Sequence, residues 1–239
     1  MDIKMDTAVE QKLLSLNRDF YDSLADPFAE TRATYQPGFA RLVPHFPQLA
    51  DDWLDVGCGE GRFGRFLHER LAISRYVGVD FTAALLKKAS TVVPGDFLER
   101  DMSRPGFLAG LGDFDGIVCL AAMQHIPGQK NRIALLREMK EHLRLHGRIL
   151  VSNWQFMDSD RQRRKIAKWS VVGLSAADVE AADYLLTWQR DGFGWRYVCY
   201  IDAKETAVLA AAAGLKIAAQ FRSDGKEGNL NLYTVFVLR

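Results

Sequence analysis

The 239-residue sequence predicts an α/β fold, a mostly parallel, doubly wound sheet with helices on both faces. Three observations carry this. From Trp53 onward, short β-type runs alternate with amphipathic segments, the pattern of successive right-handed βαβ crossovers. The strand cores "WLDV", "YVGV" and "FDGIVCL" are apolar at consecutive positions, as strands buried on both faces are. A glycine-rich stretch, "LDVGCGEGRFGRFL" from Leu54 to Leu67, joins the first strand to the first helix of the alternation, where open α/β sheets place their ligand crevice.

Each element follows in order. Residues 6–34 read as helical, with Val9, Leu13, Leu16 and Phe20 spaced by three and four. Pro27, Pro37, Pro44 and Pro47 punctuate the approach to the first strand. "WLDV" is then a strand and 60–70 a helix; "YVGV" is a strand and 82–90 a helix. "FLERDM" is a weaker strand and "FDGIVCL" a strong one. Residues 129–143 form a helix with Ile133, Leu136 and Met139 on one face, and "GRILVSNW" is a strand. Residues 154–195 break the rhythm, holding four of the five tryptophans and the basic run "RQRRKIAKW". "RYVCYI" leads into the helix "AKETAVLAAAAG", with Gly214 placed as its C-terminal stop. The last two β runs, "LKIAAQFR" and "NLYTVFVLR", are separated only by "SDGKEGN", and so short a link makes an antiparallel hairpin.

Composition narrows the classes. Hydrophobic residues make up 48% and charged residues 26%, ordinary for a globule with a sizeable core. No apolar run approaches the roughly 20 residues that span a bilayer, so no membrane partner is expected. The opening "MDIKMDTAVEQK" has no apolar leader core. Cys58, Cys119 and Cys199 lie far apart and form no CxxC, which suggests neither disulfides nor a metal site and points to a reducing, cytoplasmic compartment. The net charge of +1 leaves any nucleic-acid role to a local patch.

The glycine stretch contains two fingerprints. GxGxxG at Gly59, Gly61 and Gly64 is the dinucleotide pattern, and D-x-G-x-G-x-G from Asp55 to Gly61 is that of an S-adenosylmethionine loop. Register decides between them. The first dinucleotide glycine directly follows its strand, and here that residue is Gly57; counted from there, the third glycine falls on Arg62. The methyl-donor reading places its residues more naturally. Asp55 ends the strand where a carboxylate can hold an ammonium, and Gly57 and Gly59 admit a ligand close to the backbone. Asp80, closing "YVGVD", can accept from both ribose hydroxyls, and Asp101 in "ERDM" from the adenine amino group, with Met102 as apolar cover.

On "DVGCGEG", "GVD", "DM", "FDGIVCLAAMQHI" and the final hairpin, the chain from about Tyr21 onward resembles the class I S-adenosylmethionine-dependent methyltransferases. The resemblance implies a seven-stranded sheet whose last hairpin strand runs antiparallel. It divides the chain into a helical cap at 1–50 and a methyltransferase domain at 51–239 with an inserted lid at about 154–200. It also implies a cofactor site drawn from Asp55, Gly57, Cys58, Gly59, Asp80, Phe81, Asp101, Met102 and Leu120, closed by Tyr21 and Arg32. The cofactor is S-adenosylmethionine and the product S-adenosylhomocysteine. A cofactor-binding protein without turnover is the non-catalytic alternative.

The acceptor stays open between two classes. "AAMQ" after the fourth strand is not the Asn/Asp-Pro-Pro-Tyr run of enzymes that methylate planar amide or adenine nitrogens, and no Pro-Cys or catechol-type metal cluster is present, leaving an oxygen or nitrogen nucleophile. "FYDSLADPFAETR", Trp154, the basic insert and the pair Arg196-Tyr197 are similar to the wobble-uridine tRNA methyltransferases, which esterify a 5-carboxymethyl group and use a small activating subunit. That similarity implies a carboxylate on tRNA, with Trp154, Arg163, Arg164, Arg196 and Tyr197 as substrate residues. The sequence departs from that group where Gln124 and His125 replace two adjacent histidines. The alternative acceptor is a small metabolite or natural product beneath the 154–200 lid. His125 is the candidate catalytic base, or else a packed histidine closing its loop.

Overall fold

The computed structural model describes residues 5–30, 34–48, 50–189 and 191–239, without the side chain of Phe28. The N-terminal helical stretch divides into α1 (Thr7–Ser23) and α2 (Ala25–Glu30), followed by the short α3 (Pro37–Leu42). Asp6 caps α1 by accepting from the Ala8 N–H at 2.7 Å, which satisfies one of the donors a helix start leaves open. The buried face of α1 carries Leu13, Asn17, Phe20 and Tyr21, so a polar amide lies within an otherwise apolar stripe.

The alternation then runs β1 (Asp52–Val56), α4 (Arg62–His68), β2 (Arg75–Asp80), α5 (Ala83–Val92), β3 (Asp96–Glu99), β4 (Phe114–Leu120), α6 (Gln129–Glu141) and β5 (Leu143–Trp154). After an irregular segment come α7 (Asp160–Arg163), β6 (Ile166–Ala167), β7 (Asp183–Trp188) and β8 (Gly194–Cys199). The chain ends with α8 (Ala203–Ala213), β9 (Leu215–Ser223) and β10 (Asn231–Leu238).

Seven strands form one sheet in the order β3-β2-β1-β4-β5-β10-β9. The first five are parallel, and β10 runs antiparallel to both β5 and β9. The expected doubly wound sheet with a reversed hairpin strand is therefore the fold observed. Apolar clusters cover both faces. On one, Leu135, Leu136 and Met139 of α6 and Leu209 of α8 pack with Leu54, Ile117 and Ile149. On the other, Phe39 of α3 and Phe63 and Phe66 of α4 pack with Trp53, Val118 and Tyr233. Strand order reverses between β1 and β4, which places the ligand crevice at their carboxyl ends.

The segment after β5 builds a second antiparallel sheet, β6-β7-β8, that periodicity did not foreshadow. Its tryptophans do not form one core. Trp188 stands edge-on to Phe20 of α1, Trp195 meets Phe193, and Trp169 packs on the main core. Buried Arg132 of α6 ties this segment down, donating to Glu180 at 2.7 Å and to the Ile126 carbonyl at 3.0 Å. Burial alone would lower its pKa, but the surrounding acidic groups, Glu180 among them, hold it raised.

Candidate active site

The loop after β1 turns at Gly57, whose φ of +73° favours glycine and where a Cβ would come within 2.6 Å of the Ala122 Cβ. Gly59 follows at φ +54°, and a Cβ there would meet nothing within 4 Å, because that position opens into the main cavity. Ala121, in the loop after β4, also has a left-handed φ of +55° and lines the same cavity. Strained non-glycine backbone of this kind gathers at functional loops.

Asp80 ends β2 at the cavity wall. Its Oδ2 accepts from the Gly59 N–H and its Oδ1 from the Thr82 N–H, both at 2.9 Å. Burial raises its pKa, and those two N–H groups oppose the rise. Each oxygen keeps a further lone pair, so the geometry still allows the ribose hydroxyls to donate. Asp55 also lines the cavity, where burial pushes its pKa up to about 7 against a 2.7 Å hydrogen bond from the Tyr76 hydroxyl. Cys58, Phe81, Met102 and Leu120 line the cavity as well.

Asp101 takes a different place from the one expected. Its carboxylate accepts from Ser103 N at 2.9 Å and Ser103 Oγ at 2.6 Å and pairs with Arg18 of α1. It faces an adjoining polar cavity with Arg18, Arg100 and Arg104, not the main one. The N-terminal helix supplies a cation that competes for the carboxylate. Arg32 lies outside the described residues.

Beyond β4, Tyr21 and His125 line the cavity together, the Tyr21 hydroxyl 3.0 Å from His125 Nε2. His125 Nδ1 is 2.9 Å from the Tyr197 carbonyl. A carbonyl only accepts, so Nδ1 carries a proton toward Tyr197, and Nε2 faces the Tyr21 hydroxyl. His125 is 6% exposed and Trp154 stands edge-on to it at 5.9 Å. Arg196 of β8 lies 4.4 Å over the Trp154 ring and next to Tyr21; neither Arg196 nor Trp154 lines the cavity.

Three of the expected substrate residues lie apart from the cavity. Tyr197 is fully buried and its hydroxyl donates to Asp183 at 2.6 Å, so it supports the site from behind. Arg163 is exposed, paired with Asp160 and bonded to the Met157 carbonyl at 2.6 Å; Arg164 turns to the Asp160 carbonyl at 3.3 Å. Neither lines the cavity. Nine residues that line the cavity are not among those expected from sequence, Phe39, Glu60, Arg62 and Arg100 with them. Glu60 and Arg62 stand inside the quoted glycine motif, where their charges alone were a usable signal.

The residues fit S-adenosylmethionine. The crevice lies at the strand-order switch, Gly59 leaves room beside the backbone, and the buried Glu60 Oε1 has no hydrogen-bond partner. Fold, loop and crevice are those of the class I S-adenosylmethionine-dependent methyltransferases.

Residues 54–147 match the methyltransferase-domain family. The chain is 25% identical over 198 residues to a provisionally assigned methyltransferase of Encephalitozoon cuniculi, covering 83% of this chain and 86% of that one. It is 28% identical over 137 residues to the tRNA (carboxymethyluridine(34)-5-O)-methyltransferase alkbh8 of Xenopus tropicalis, a match over 56% of this chain but 20% of that much longer protein. Among solved structures, an S-adenosylmethionine-dependent methyltransferase from Clostridium acetobutylicum superposes with a TM-score of 0.64 at 15% identity, over 93% of this chain and 97% of that one. The S-adenosylmethionine-bound amino pentose methyltransferase CalS10 from Micromonospora echinaspora does so with a TM-score of 0.63 at 17% identity, over 89% and 96%.

Proposed function

We propose that this methyltransferase transfers its methyl group to an anionic oxygen, a carboxylate, that docks against Arg196. The observation behind this reading is the state of that side chain. Arg196 is 5% exposed, no carboxylate pairs with it among the described residues, and its Nε and Nη1 have no hydrogen-bond partner. Its guanidinium is held by aromatic faces, Trp154 at 4.4 Å, Phe20 at 5.1 Å and Trp188 at 5.5 Å. Burial pushes its pKa down, which marks a cation short of compensating charge. An incoming carboxylate supplies that charge through the two-pronged pairing arginine favours.

The bound cofactor supplies a methyl carbon activated by the neighbouring sulfonium charge. The protein's part is to bind, orient and exclude water. Tyr21 and His125 wall the acceptor side, and the His125 ring is held at both nitrogens. An anionic acceptor arrives ready to attack, so neither residue needs to remove a proton.

A carboxymethyl group on tRNA is the acceptor carrier this reading favours, on the similarity to alkbh8 and on the exposed basic residues Arg161, Arg164 and Lys168 of the insert. A small carboxylic acid is the second reading, favoured by the near-neutral net charge and by Arg163 being paired within its own turn. The test supplies methyl-labelled S-adenosylmethionine with either tRNA that carries a free, unesterified 5-carboxymethyl group or a small carboxylic-acid pool. Label recovered as a base-labile ester, and lost with Arg196→Met, is the expected outcome; label in a base-stable product would overturn the carboxylate assignment.

A further inference from the structure

Four of the five tryptophans are engaged within the fold. Trp53 is fully buried, Trp169 packs on the main core, and Trp154 and Trp188 lie beneath the Arg196 guanidinium. Trp195 is half-buried and, among the aromatic and cationic groups of the described residues, meets only Phe193, edge-on at 5.0 Å. Phe193 itself is 57% exposed. An edge-on pair leaves each ring a face that the other does not cover, so the β7–β8 hairpin ends in an open aromatic surface.

A cation stands in the same row of the second sheet. Trp195 is paired with Thr187, and the carbonyl of Lys165, one residue before β6, accepts from the Thr187 N–H at 2.8 Å. Lys165 and Trp195 are thus two strand spacings apart, about 10 Å, with side chains on one face. Lys165 has no ion pair among the described residues, and the acids of the insert nearest in sequence are taken, Asp160 by Arg163 and Asp158 by Arg222. Burial pushes its pKa down, and the positive charges of Arg196 and Arg161 add to that. Trp195 and Arg196 are consecutive on β8, so their side chains leave opposite faces of the hairpin. The Arg196 face is turned toward Trp154 and Phe20.

We propose that the end of the β7–β8 hairpin is a wedge between two neighbouring nucleotides of a single-stranded RNA acceptor. The nucleotide bearing the carboxylate lies on the Arg196 face. The base of its neighbour stacks on Phe193 and Trp195, and Lys165 pairs with a backbone phosphate. Aromatic faces beside a cation hold single strands in this way without reading their sequence. Parting the two bases also takes the carboxylate-bearing base out of its stack, where an enzyme can reach it. The wedge rests on the RNA form of the acceptor reading, because a small acid has no neighbour for the hairpin to hold.

The full chain is tested with a short single-stranded RNA carrying one free 5-carboxymethyluridine, and with the free nucleoside 5-carboxymethyluridine. A lost base–aromatic stack costs on the order of 10-fold in affinity. Phe193→Ala is expected to weaken RNA binding by that amount, and Phe193→Tyr to restore it. An abasic residue on one side of the modified nucleotide should weaken binding to wild-type protein similarly and add almost nothing in Phe193→Ala. Lys165→Met should reduce the salt dependence of RNA binding by about one phosphate contact. The nucleoside has no neighbour, so its KM should stay within about twofold in Phe193→Ala and Lys165→Met. RNA affinity unchanged in both variants, or equal losses on RNA and nucleoside, would overturn the wedge. Wild-type protein that methylates the nucleoside and binds no RNA would overturn the RNA carrier itself, and the wedge with it.

Discussion

Asn17 closes a two-bond ring with the peptide group of Tyr197. Its Oδ1 accepts from the Tyr197 N–H at 2.8 Å and its Nδ2 donates to the Tyr197 carbonyl at 3.2 Å. The same Nδ2 lies 3.2 Å from the His125 carbonyl. One amide at 3% exposure thus joins α1, the loop after β4 and β8, the three segments that carry Tyr21, His125 and Arg196. It also gives the β8 backbone, paired on its other side with β7, the partners a sheet edge lacks.

Asn17→Ala leaves the Tyr197 N–H buried without a partner. The expected loss is about 1–3 kcal/mol of unfolding free energy, read by urea titration. Asn17→Asp keeps the N–H acceptor but sets a carboxylate oxygen against two carbonyls, so it should destabilise more than Asn17→Ala at neutral pH. Equal stability of all three proteins would show that the ring carries no weight.

Asp55 sets a pH dependence. Its folded pKa, about 7, lies above the ordinary carboxylate value, so the native state holds its proton more tightly than the unfolded chain does. The native state therefore loses stability as pH rises from about 4 to about 7, by up to roughly 4 kcal/mol for a shift of that size. Asp55→Asn should remove this slope, and its advantage over wild type should be larger at pH 8 than at pH 5. Denaturation midpoints at the two pH values check the sign.

Asp80→Ala removes the acceptor for the Gly59 and Thr82 N–H groups as well as the ribose-side carboxylate. S-adenosylmethionine should raise the melting temperature of wild-type protein and not of this variant, and NADH should raise neither. Stabilisation by NADH in place of S-adenosylmethionine would reverse the reading of the glycine register.

Arg132→Met removes the buried cation that pairs with Glu180 and leaves that carboxylate with the Gln129 N–H. Removing one partner of such a pair typically costs about 3–5 kcal/mol. Because Arg132 touches the insert and not the cofactor cavity, S-adenosylmethionine affinity of the folded fraction should stay near wild type. A parallel fall in cofactor affinity would count against that separation.

The parallel sheet, the glycine loop and the reversed hairpin were legible in the sequence because each is written in local terms. Apolar runs of four to seven residues mark strands buried on both faces, and a Gly57 that abuts its strand sets the loop register before any tertiary contact forms. The cofactor crevice follows from that order of elements, so Asp80 and Gly59 could be placed from the chain alone.

Tertiary structure decided what depends on distant partners. Asp101 is placed by Arg18, 83 residues away, and Tyr197 is withdrawn from substrate by Asp183 and by Asn17, 180 residues away. The tryptophans of the insert disperse because each finds a different neighbour, on α1, on Phe193 or on the main core. Periodicity reports which face of an element is buried. It does not report which charge or amide lies opposite, and in a low-dielectric interior that pairing sets where a polar side chain settles and which one is left for a ligand.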